Sequence, residues 1–385
     1  MHTAYRPREA QWRVIFRMTT DVRTRPHQVH GVFDRDDELS AANHELVTFC
    51  RDEETGLRAI ISVHDTTLGP ALGGTRFFPY RTEDEALTDG LRLSRGMTFK
   101  AAAAGLPLGG GKAVIIGNPA EIKTPDLLRA YGRFIEALGG RYITAADVGT
   151  TSDDLDIIGE VTSHVVGRNV AAGGSGDSGF STAYGVFCAM SSAAEVAWGA
   201  DGLYGRTVGV EGAGKVGFHL VGMLLKEGAR VVVSDLYAPA LARLRDAYDS
   251  VQTVFSFIDQ PIDVYAPCAL GATLTESSVR SIEARMVCGA ANNQLLTANV
   301  GDLMAAKGVL WVPDFVANAG GLIQVGGERQ DKSEDDVLLD VRRIGSTVAN
   351  ILETSRVDGV STGEAALGIV RRRLQDARST TEAAL

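Results

Sequence analysis

The feature that most constrains the fold is a glycine-rich turn between an apolar strand and a helix. The run Thr207–Val210 leads into Gly212–Gly217, whose letters GAGKVG fit the pattern GxGxxG. A helical segment and a second apolar run, 231–234, follow, and Asp235 comes 18 residues after the last glycine. Such a turn lets the backbone approach a pyrophosphate held at the N-terminus of the helix. The pattern predicts a Rossmann-type βαβ unit that binds a dinucleotide.

The residues of this unit are the first candidate contacts to a cofactor. Asp235 is placed to accept hydrogen bonds from the ribose hydroxyls, and its carboxylate would repel a 2′-phosphate. No arginine follows Asp235 directly, so we expect NAD rather than NADP. The candidate contacts in the turn are Gly212, Ala213, Gly214, Lys215, Val216 and Gly217.

Later apolar runs extend the same sheet. Residues 264–266, 286–288 and 310–312 each end in small or polar residues, which predicts strands whose carboxyl ends line a cofactor crevice. The asparagines near these ends can hydrogen-bond an amide or a carboxylate, although asparagine also favours turns. The candidate cofactor contacts here are Cys268, Ala269, Asn292 and Asn318.

A second informative stretch holds two lysines, Lys100 and Lys112. Between them lies the glycine triplet 109–111, which is costly to order and is kept where a backbone turns sharply or approaches a bound molecule. The apolar run 113–116 predicts a buried strand, with Lys112 at the point where a glycine loop enters it. The alternative is that both lysines are solvated, as most lysines are.

The surrounding segments predict an α/β layer. Residues 46–63 alternate as a hairpin, 66–80 indicate a glycine-rich loop, and 83–95 indicate a helix. The strand 141–145 leads to Asp147. An aspartate there is either part of a site at the carboxyl end of the sheet or the N-cap of the next helix.

Composition limits the classes of function. A chain of 385 residues indicates two domains, and a net charge of −10 argues against nucleic-acid or anionic-membrane partners. The scattered histidines and cysteines fit no metal-binding pattern. Four cysteines without CxxC spacing are typical of reduced thiols, so we expect a cytoplasmic protein. Residues 1–30 are rich in arginine and predict a disordered extension, a transit-peptide-like segment or an upstream start before Met18.

Taken together, the motifs resemble one family. From about Glu45 to the C-terminal helices, the sequence resembles the Glu/Leu/Phe/Val amino-acid dehydrogenases, most of all the valine and leucine dehydrogenases. The resemblance implies reversible NAD-dependent oxidative deamination of an L-amino acid to the 2-oxo acid and ammonium. Besides the GxGxxG unit, the segments that carry it are GPALGGTRFFPY, GMTFKAAAAGLPLGGGKAVIIG, GGRYITAADVGT, IDVYAPCALGA, CGAANNQL and PDFVANAGG.

The resemblance also implies an α/β architecture of two domains separated by a cleft. Residues 31–175 with 350–385 would bind the amino acid and form a homo-oligomer. Residues 176–349 would form the Rossmann-type NAD-binding domain, and the C-terminal helices would pack back across the cleft. The expected partners are the amino acid, its 2-oxo acid, ammonium and further copies of the chain.

Individual roles follow from the same resemblance. Lys112 matches the catalytic lysine, Asp147 the aspartate beside it, and Lys100 the lysine that binds the substrate carboxylate. Thr182 matches a residue near the nicotinamide. The remaining substrate-binding candidates are Gly73, Gly74, Leu72, Met97, Ala145, Asn292, Leu322 and Val325.

These roles agree with elementary chemistry. Two lysines in one closed site repel each other, and burial disfavours their charged forms, so the pKa of a lysine falls towards the working pH. Lys112 can then take a proton from the water that adds to an iminium ion, while Asp147 accepts from the substrate ammonium and shuttles a proton.

The side chains expected around the substrate are apolar. Glutamate fits poorly because an unpaired buried carboxylate is very costly, and branched-chain amino acids fit well. Phenylalanine or tryptophan, and a catalytically idle NAD-binding paralogue, stay open as alternatives. Three places depart from the family pattern: the stretch 176–181, Glu211, and VGGERQDK after Gln324.

Overall fold

The computed structural model describes residues 44–257 and 260–383. The extension predicted for residues 1–30, and residues 31–43 of the predicted N-terminal domain, lie outside this part of the chain. The described residues form two sheets with helices packed on them.

The first sheet has five strands in the order β1-β2-β4-β3-β5. β1 and β2 form the predicted antiparallel hairpin, whereas β3 runs parallel to both β4 and β5. Helix α3 buries Leu127, Tyr131 and Ile135 in an apolar core that it shares with this sheet. The elements are β1 (Leu46–Asp52), β2 (Leu57–Asp65), β3 (Ala71–Phe78), α1 (Glu83–Ala103), β4 (Gly109–Ile116), α2 (Pro119–Ile122), α3 (Pro125–Ala137), β5 (Tyr142–Ala146) and α4 (Ser152–Ile158).

The second sheet has six strands, all parallel, in the order β11-β10-β9-β6-β7-β8. Numbered from its own first strand, this is the order 3-2-1-4-5-6 of a Rossmann fold. The predicted α/β class and the Rossmann-type unit are therefore confirmed. The elements are α5 (Gly179–Trp198), β6 (Thr207–Glu211), α6 (Lys215–Lys226), β7 (Arg230–Ser234), α7 (Ala238–Ala247), β8 (Gln252–Thr253), β9 (Val264–Pro267), α8 (Glu276–Ser281), β10 (Met286–Val287), α9 (Asn299–Lys307), β11 (Leu310–Trp311), α10 (Asp314–Ala317), α11 (Gly320–Glu328), α12 (Glu334–Asp358) and α13 (Thr362–Ala383).

The last helix, α13, connects the two sheets. At its start the Thr362 hydroxyl donates to the Trp311 carbonyl at the end of β11, at 2.6 Å. Further along, Arg373 donates to the carbonyls of Ala102 and Leu106, both at 2.9 Å, beside the end of α1. As expected for the C-terminal end of the chain, α13 thus packs back against both the end of β11 and the end of α1.

Two predictions around the glycines are wrong. Residues 66–80 are not a loop throughout, because 71–78 form the interior strand β3. The triplet 109–111 does not precede a strand but begins β4, so Lys112 lies inside it. The glycines are needed here for strand packing, since a Cβ on Gly73 would lie 1.6 Å from the Gly111 carbonyl oxygen. Helix α1 also runs beyond the predicted end at 95 and places Lys100 in its last turn.

Among the described residues, no helix is both long enough and apolar enough to cross a bilayer.

We predict that the variant Gly110→Ala is strongly destabilised. Its Cβ would lie 2.1 Å from the Thr98 hydroxyl oxygen and 2.2 Å from the Thr98 backbone nitrogen, so β4 and α1 would have to separate. Gly96→Ala is the matched control, since its Cβ meets no atom within 4 Å and a helical alanine gains about 0.5–1 kcal/mol over glycine. Thermal unfolding should show a lowered midpoint for the first variant and an unchanged or raised one for the second. Equal midpoints for Gly110→Ala and the wild type would contradict this packing.

Candidate active site

Lys112 and Asp147 form a buried ion pair at the centre of the first sheet. The Lys112 Nζ lies 2.6 Å from Asp147 Oδ2, and only 7% of the lysine side chain is exposed. Burial lowers the pKa of Lys112; the Asp147 carboxylate acts in the opposite direction, and the Arg76 guanidinium adds to the lowering. A lysine with a lowered pKa gives up its proton more readily than an ordinary lysine and can act as a base.

The position of Asp147 follows from the turn after β5. Its backbone N–H donates to the Thr150 hydroxyl at 2.9 Å, and that hydroxyl donates to the Thr75 carbonyl at 2.8 Å. The N-cap of α4 is Thr151, so the interpretation of Asp147 as a helix cap is wrong. Although burial alone would raise it, the Arg76 guanidinium and the Lys112 ammonium hold the pKa of Asp147 well below its usual range.

Three polar residues beside this pair were missed in the sequence. Arg76 donates from Nε to Asp147 Oδ2 at 3.0 Å and from Nη1 to Asp89 Oδ2 at 2.8 Å. The Tyr80 hydroxyl donates to the same Asp89 oxygen at 2.5 Å. The signal in the sequence is the arginine in GGTR, but an interpretation of residues 66–80 as a loop does not place it at the site.

Lys100, in the last turn of α1, contacts a residue of the Rossmann-type unit. Its Nζ donates to Asn292 Oδ1 at 3.0 Å, and Asn318 Nδ2 donates to the same oxygen at 2.8 Å. Burial lowers the pKa of Lys100 to about 8, with the Asp314 carboxylate acting in the opposite direction. The structure therefore brings Lys100, Asn292 and Asn318 together. Asp314, whose pKa is raised by burial, is a further neighbour that the sequence did not single out.

Gly73 and Gly74, the glycines expected against the substrate, lie beside the ion pair of Lys112 and Asp147. A Cβ on Gly74 would lie 2.5 Å from the Ala146 carbonyl oxygen and 2.9 Å from Asp147 Cβ. At Gly73 the carbonyl accepts from the Tyr142 hydroxyl at 2.7 Å. Both glycines thus allow three adjacent strands to approach closely around the site.

The apolar candidates share one cluster. The cluster also includes much of the Rossmann core, so membership alone does not show which side chains face a substrate. Its members among the predicted substrate residues are Leu72, Ala145, Leu322 and Val325, with Met97 half-buried against it.

The predicted dinucleotide turn lies between β6 and α6. Gly212 has a φ of +106°, and a Cβ on Gly217 would lie 1.9 Å from the Gly212 carbonyl oxygen. The N-cap of α6 is Gly214, which provides no side-chain hydrogen bond, so the first N–H groups of the helix can bind a pyrophosphate. The turn residues Ala213, Lys215 and Val216 lie at this helix start.

Other observations bear on how a nicotinamide dinucleotide would fit. The buried Asn318 Oδ1 has no hydrogen-bond partner within the described part of the chain, so it can accept from a carboxamide. Asp235 Oδ2 accepts from the Ala213 N–H at 2.7 Å, beside the turn. Arg243, which the sequence argument did not consider, donates to the Ala213 carbonyl at 3.1 Å. The residues therefore fit a dinucleotide. The positive charge of Arg243 lies near Asp235, because both side chains contact Ala213.

The remaining cofactor candidates are Thr182, Cys268 and Ala269. The Thr182 hydroxyl donates to the Ser178 carbonyl at 2.9 Å. A Cβ on Gly321 would lie 2.7 Å from the Thr182 hydroxyl oxygen. The Cys268 N–H donates to the Glu211 carbonyl at 2.7 Å, and burial raises the pKa of its thiol to about 12. Ala269 lies against Gly212, at 2.9 Å from the position of a Cβ there.

The three departures from the family pattern have partners in the structure. The Glu211 carboxylate accepts from the Tyr265 hydroxyl. Asp177, in the stretch 176–181, pairs with Lys215 of the dinucleotide turn. In VGGERQDK, Glu328 Oε2 accepts from the N–H groups of Gly167 and Ser175, both at 2.9 Å, and from the Ser175 hydroxyl at 2.6 Å.

In residues 44–257 and 260–383, no group of three or more His, Cys, Asp or Glu side chains could hold a metal ion. The six-stranded parallel sheet and its glycine turn define the class of the protein: an α/β protein with a Rossmann-type dinucleotide-binding fold.

Comparison with known sequences specifies the family. Residues 44–164 match the profile described as Glu/Leu/Phe/Val dehydrogenase, dimerisation domain. Residues 173–342 match Glutamate/Leucine/Phenylalanine/Valine dehydrogenase. The chain belongs to the Glu/Leu/Phe/Val dehydrogenase family, and the predicted membership is confirmed.

Individual relatives cover most of the chain. Valine dehydrogenase of Streptomyces virginiae is 46% identical over 354 residues, 91% of this chain and 98% of that protein. Leucine dehydrogenase of Bacillus subtilis is 44% identical over 337 residues, 87% of this chain and 93% of that protein. The crystal structure of L-tryptophan dehydrogenase from Nostoc punctiforme matches with a TM-score of 0.76 and 41% identity, and covers 89% of this chain and 99% of that one.

We predict that Lys100 makes stability depend on pH in the alkaline range. Its pKa is lowered from 10.5 to about 8 in the folded state, so between these values the unfolded state binds more protons. The free energy of unfolding should therefore rise with pH in this window, and Lys100→Met should lack that part of the rise. Lys226→Met, at an exposed position, should keep the wild-type dependence. Urea unfolding between pH 7 and 10.5 measures it; parallel curves for Lys100→Met and the wild type would contradict the lowered pKa.

Proposed function

We propose that this dehydrogenase catalyses the reversible NAD-dependent oxidative deamination of an apolar L-amino acid to the 2-oxo acid and ammonium. The observation that carries the proposal is the buried contact of 2.6 Å between Lys112 and Asp147. A second lysine, Lys100, lies beside it and reaches the cofactor side through Asn292.

Lys100 is assigned to the substrate carboxylate. Lys100 is partly buried, and an ammonium group with reduced access to water binds an anion more strongly than a fully exposed one does. Its present acceptor is Asn292 Oδ1, a neutral oxygen that a carboxylate would replace with a charge-assisted partner. Pairing with the carboxylate would then keep Lys100 protonated during turnover.

Lys112 is assigned as the base. When bound, the nicotinamide ring would take the hydride that leaves Cα of the amino acid, which becomes an iminium carbon. Lys112, with its lowered pKa, would take a proton from the water that adds to that carbon and then return a proton to the nitrogen, so that the C–N bond breaks and ammonia leaves the 2-oxo acid. Asp147 stays ionised, because its pKa is held well below the usual range, and it accepts hydrogen bonds from the substrate amine. This favours Lys112 over Asp147 as the group that carries the proton, and the shuttle role of Asp147 stays a prediction.

The apolar candidates support the proposed substrate class. Leu72, Leu322 and Val325 offer no partner to a charged side chain, so branched-chain amino acids are preferred to glutamate. The names of the valine and leucine dehydrogenases support this choice. The likeness to a tryptophan dehydrogenase supports an aromatic substrate as the second candidate.

We also propose that the two domains bind different ligands. Residues 31–175 with 350–385 would bind the amino acid and form the oligomer, and 176–349 would bind NAD. The profile over residues 44–164 is described as a dimerisation domain, which supports assembly with further copies of the chain. We place the reaction in the cytoplasm, where the four unpaired cysteines stay reduced.

The direct test is a steady-state assay with NAD and a panel of valine, leucine, isoleucine, phenylalanine, tryptophan and glutamate. Branched-chain amino acids should give the highest kcat/KM, with glutamate lower by about 100-fold or more, since a buried carboxylate would lack a partner. The highest kcat/KM for glutamate would contradict the apolar pocket, and no turnover of any amino acid would contradict the proposed reaction.

Lys112→Ala should lower kcat by about 10²–10⁴-fold, the usual contribution of a general base. NAD binding, followed by quenching of tryptophan fluorescence, should persist because Lys112 lies on the substrate side of the cleft. Lys226→Ala, on the exposed end of α6, is the control for removal of one lysine and should keep full activity. Near-normal turnover in Lys112→Ala would refute the assigned base.

Asp235→Ala should weaken NAD binding or reduce its preference over NADP, because the carboxylate is the group expected to bind the ribose hydroxyls. Fluorescence titration with both dinucleotides measures the effect. Unchanged affinity for both would remove Asp235 from the cofactor site.

A further inference from the structure

We propose that Arg76 is a positioning residue of the reaction: it holds Asp147 against Lys112 through a shared carboxylate oxygen, and Asp89 holds Arg76 from behind. This inference rests on the proposed function, in which Lys112 is the base.

The contacts form one chain from the site to helix α1. Asp147 Oδ2 accepts from Arg76 Nε at 3.0 Å and also lies 2.6 Å from Lys112 Nζ. The other end of the guanidinium donates from Nη1 to Asp89 at 2.8 Å, and Tyr80 donates to the same Asp89 oxygen at 2.5 Å. Every side chain between the lysine and the helix thus has a defined partner.

The groups lie on separate elements that the fold brings together. Arg76 lies on β3, Lys112 on β4, Asp147 after β5, and Asp89 on α1. Only 23% of the Arg76 side chain and 25% of the Asp89 side chain are exposed, so bulk water screens this network weakly. A rigid fork with donors in two directions suits this place, and a lysine cannot reproduce it.

The charge of Arg76 affects the base as well as the carboxylate. A lysine paired only with Asp147 would stay protonated, because the carboxylate favours the ammonium form. Arg76 competes for the same oxygen and places a second positive charge nearby, which contributes to the lowered pKa of Lys112. Asp89 partly neutralises Arg76 and acts in the opposite direction. Lys100, on the last turn of α1, is a further charged group at the site, and the Asp314 carboxylate acts on it.

A purely structural role for Arg76, joining β3 to α1, gives a different expectation. Loss of that contact would lower stability or kcat at every pH without moving the pH at which the base loses its proton. The positioning role instead predicts shifts of opposite sign when the arginine and its rear partner are changed.

The experiment compares Arg76→Met, Arg76→Lys and Asp89→Asn by the pH dependence of kcat for oxidative deamination of the best amino acid. The same substrate is used throughout, so its own titration is common to all variants. Arg81→Met, which removes an arginine paired with Glu85 at the exposed start of α1, is the control. Tryptophan fluorescence and thermal unfolding report NAD binding and folding for each protein.

Arg76→Met should shift the rising limb of the kcat profile to higher pH by about one unit, the usual effect of a neighbouring charge. It should also lower kcat about ten-fold or more at neutral pH. Asp89→Asn should move the limb downwards, and Arg76→Lys should stay closer to the wild type than Arg76→Met does. NAD binding should be retained in all of them.

The inference is overturned if the rising part of the kcat profile stays at the wild-type pH in both Arg76→Met and Asp89→Asn. It is also overturned if the two variants shift this part in the same direction. If Arg76→Met does not fold, Asp89→Asn and Arg76→Lys decide: an unmoved limb in Asp89→Asn overturns it. Wild-type protein without amino-acid dehydrogenase activity would refute the proposed function, whereas an active wild type with unmoved limbs refutes only the role of Arg76.

Discussion

The rest of the structure depends on a buried lysine and a half-buried arginine that share one carboxylate oxygen. An ammonium group removed from water is costly unless it is paired, and the Asp147 carboxylate supplies that partner at 2.6 Å. Because the three groups lie on β4, β3 and the turn after β5, these strands must be neighbours, as the order β4-β3-β5 shows. The site is therefore a property of the parallel half of the first sheet.

The glycines and helix α1 make this arrangement possible. Side chains at Gly73 and Gly74 would meet the backbones of β4 and β5, so only glycine lets the strands close around Lys112. Helix α1 carries both Asp89 and Lys100, which lie eleven residues, or about three turns, apart and so on one face. The same helix thus supplies Asp89, which pairs with Arg76, and Lys100, which contacts Asn292 of the Rossmann-type unit.

The sequence predicted the parts whose signals are local. The GxGxxG turn, its flanking strand and helix, and Asp235 are close in the chain, and the two lysines with Asp147 lie in motifs that carry the family resemblance. Interpreting residues 66–80 as a loop failed because glycine and proline usually mark turns, whereas here the glycines serve contacts between strands distant in sequence. The same reason concealed Arg76, whose partners Asp89 and Asp147 are 13 and 71 residues away. Arg243 lies beside the dinucleotide turn only because α7 folds back onto it.

For Lys112 to act as the base, it must lose its proton more readily than an ordinary lysine. NMR of protein labelled with ¹³C at the lysine Cε carbons can follow this ionisation directly, with the Lys112 signal assigned by its absence in Lys112→Ala. We expect a midpoint clearly below 10.5, the ordinary value for lysine. A midpoint at or above 10.5 would contradict it, because Lys112 would then be a permanent cation of an ion pair and could not serve as the base.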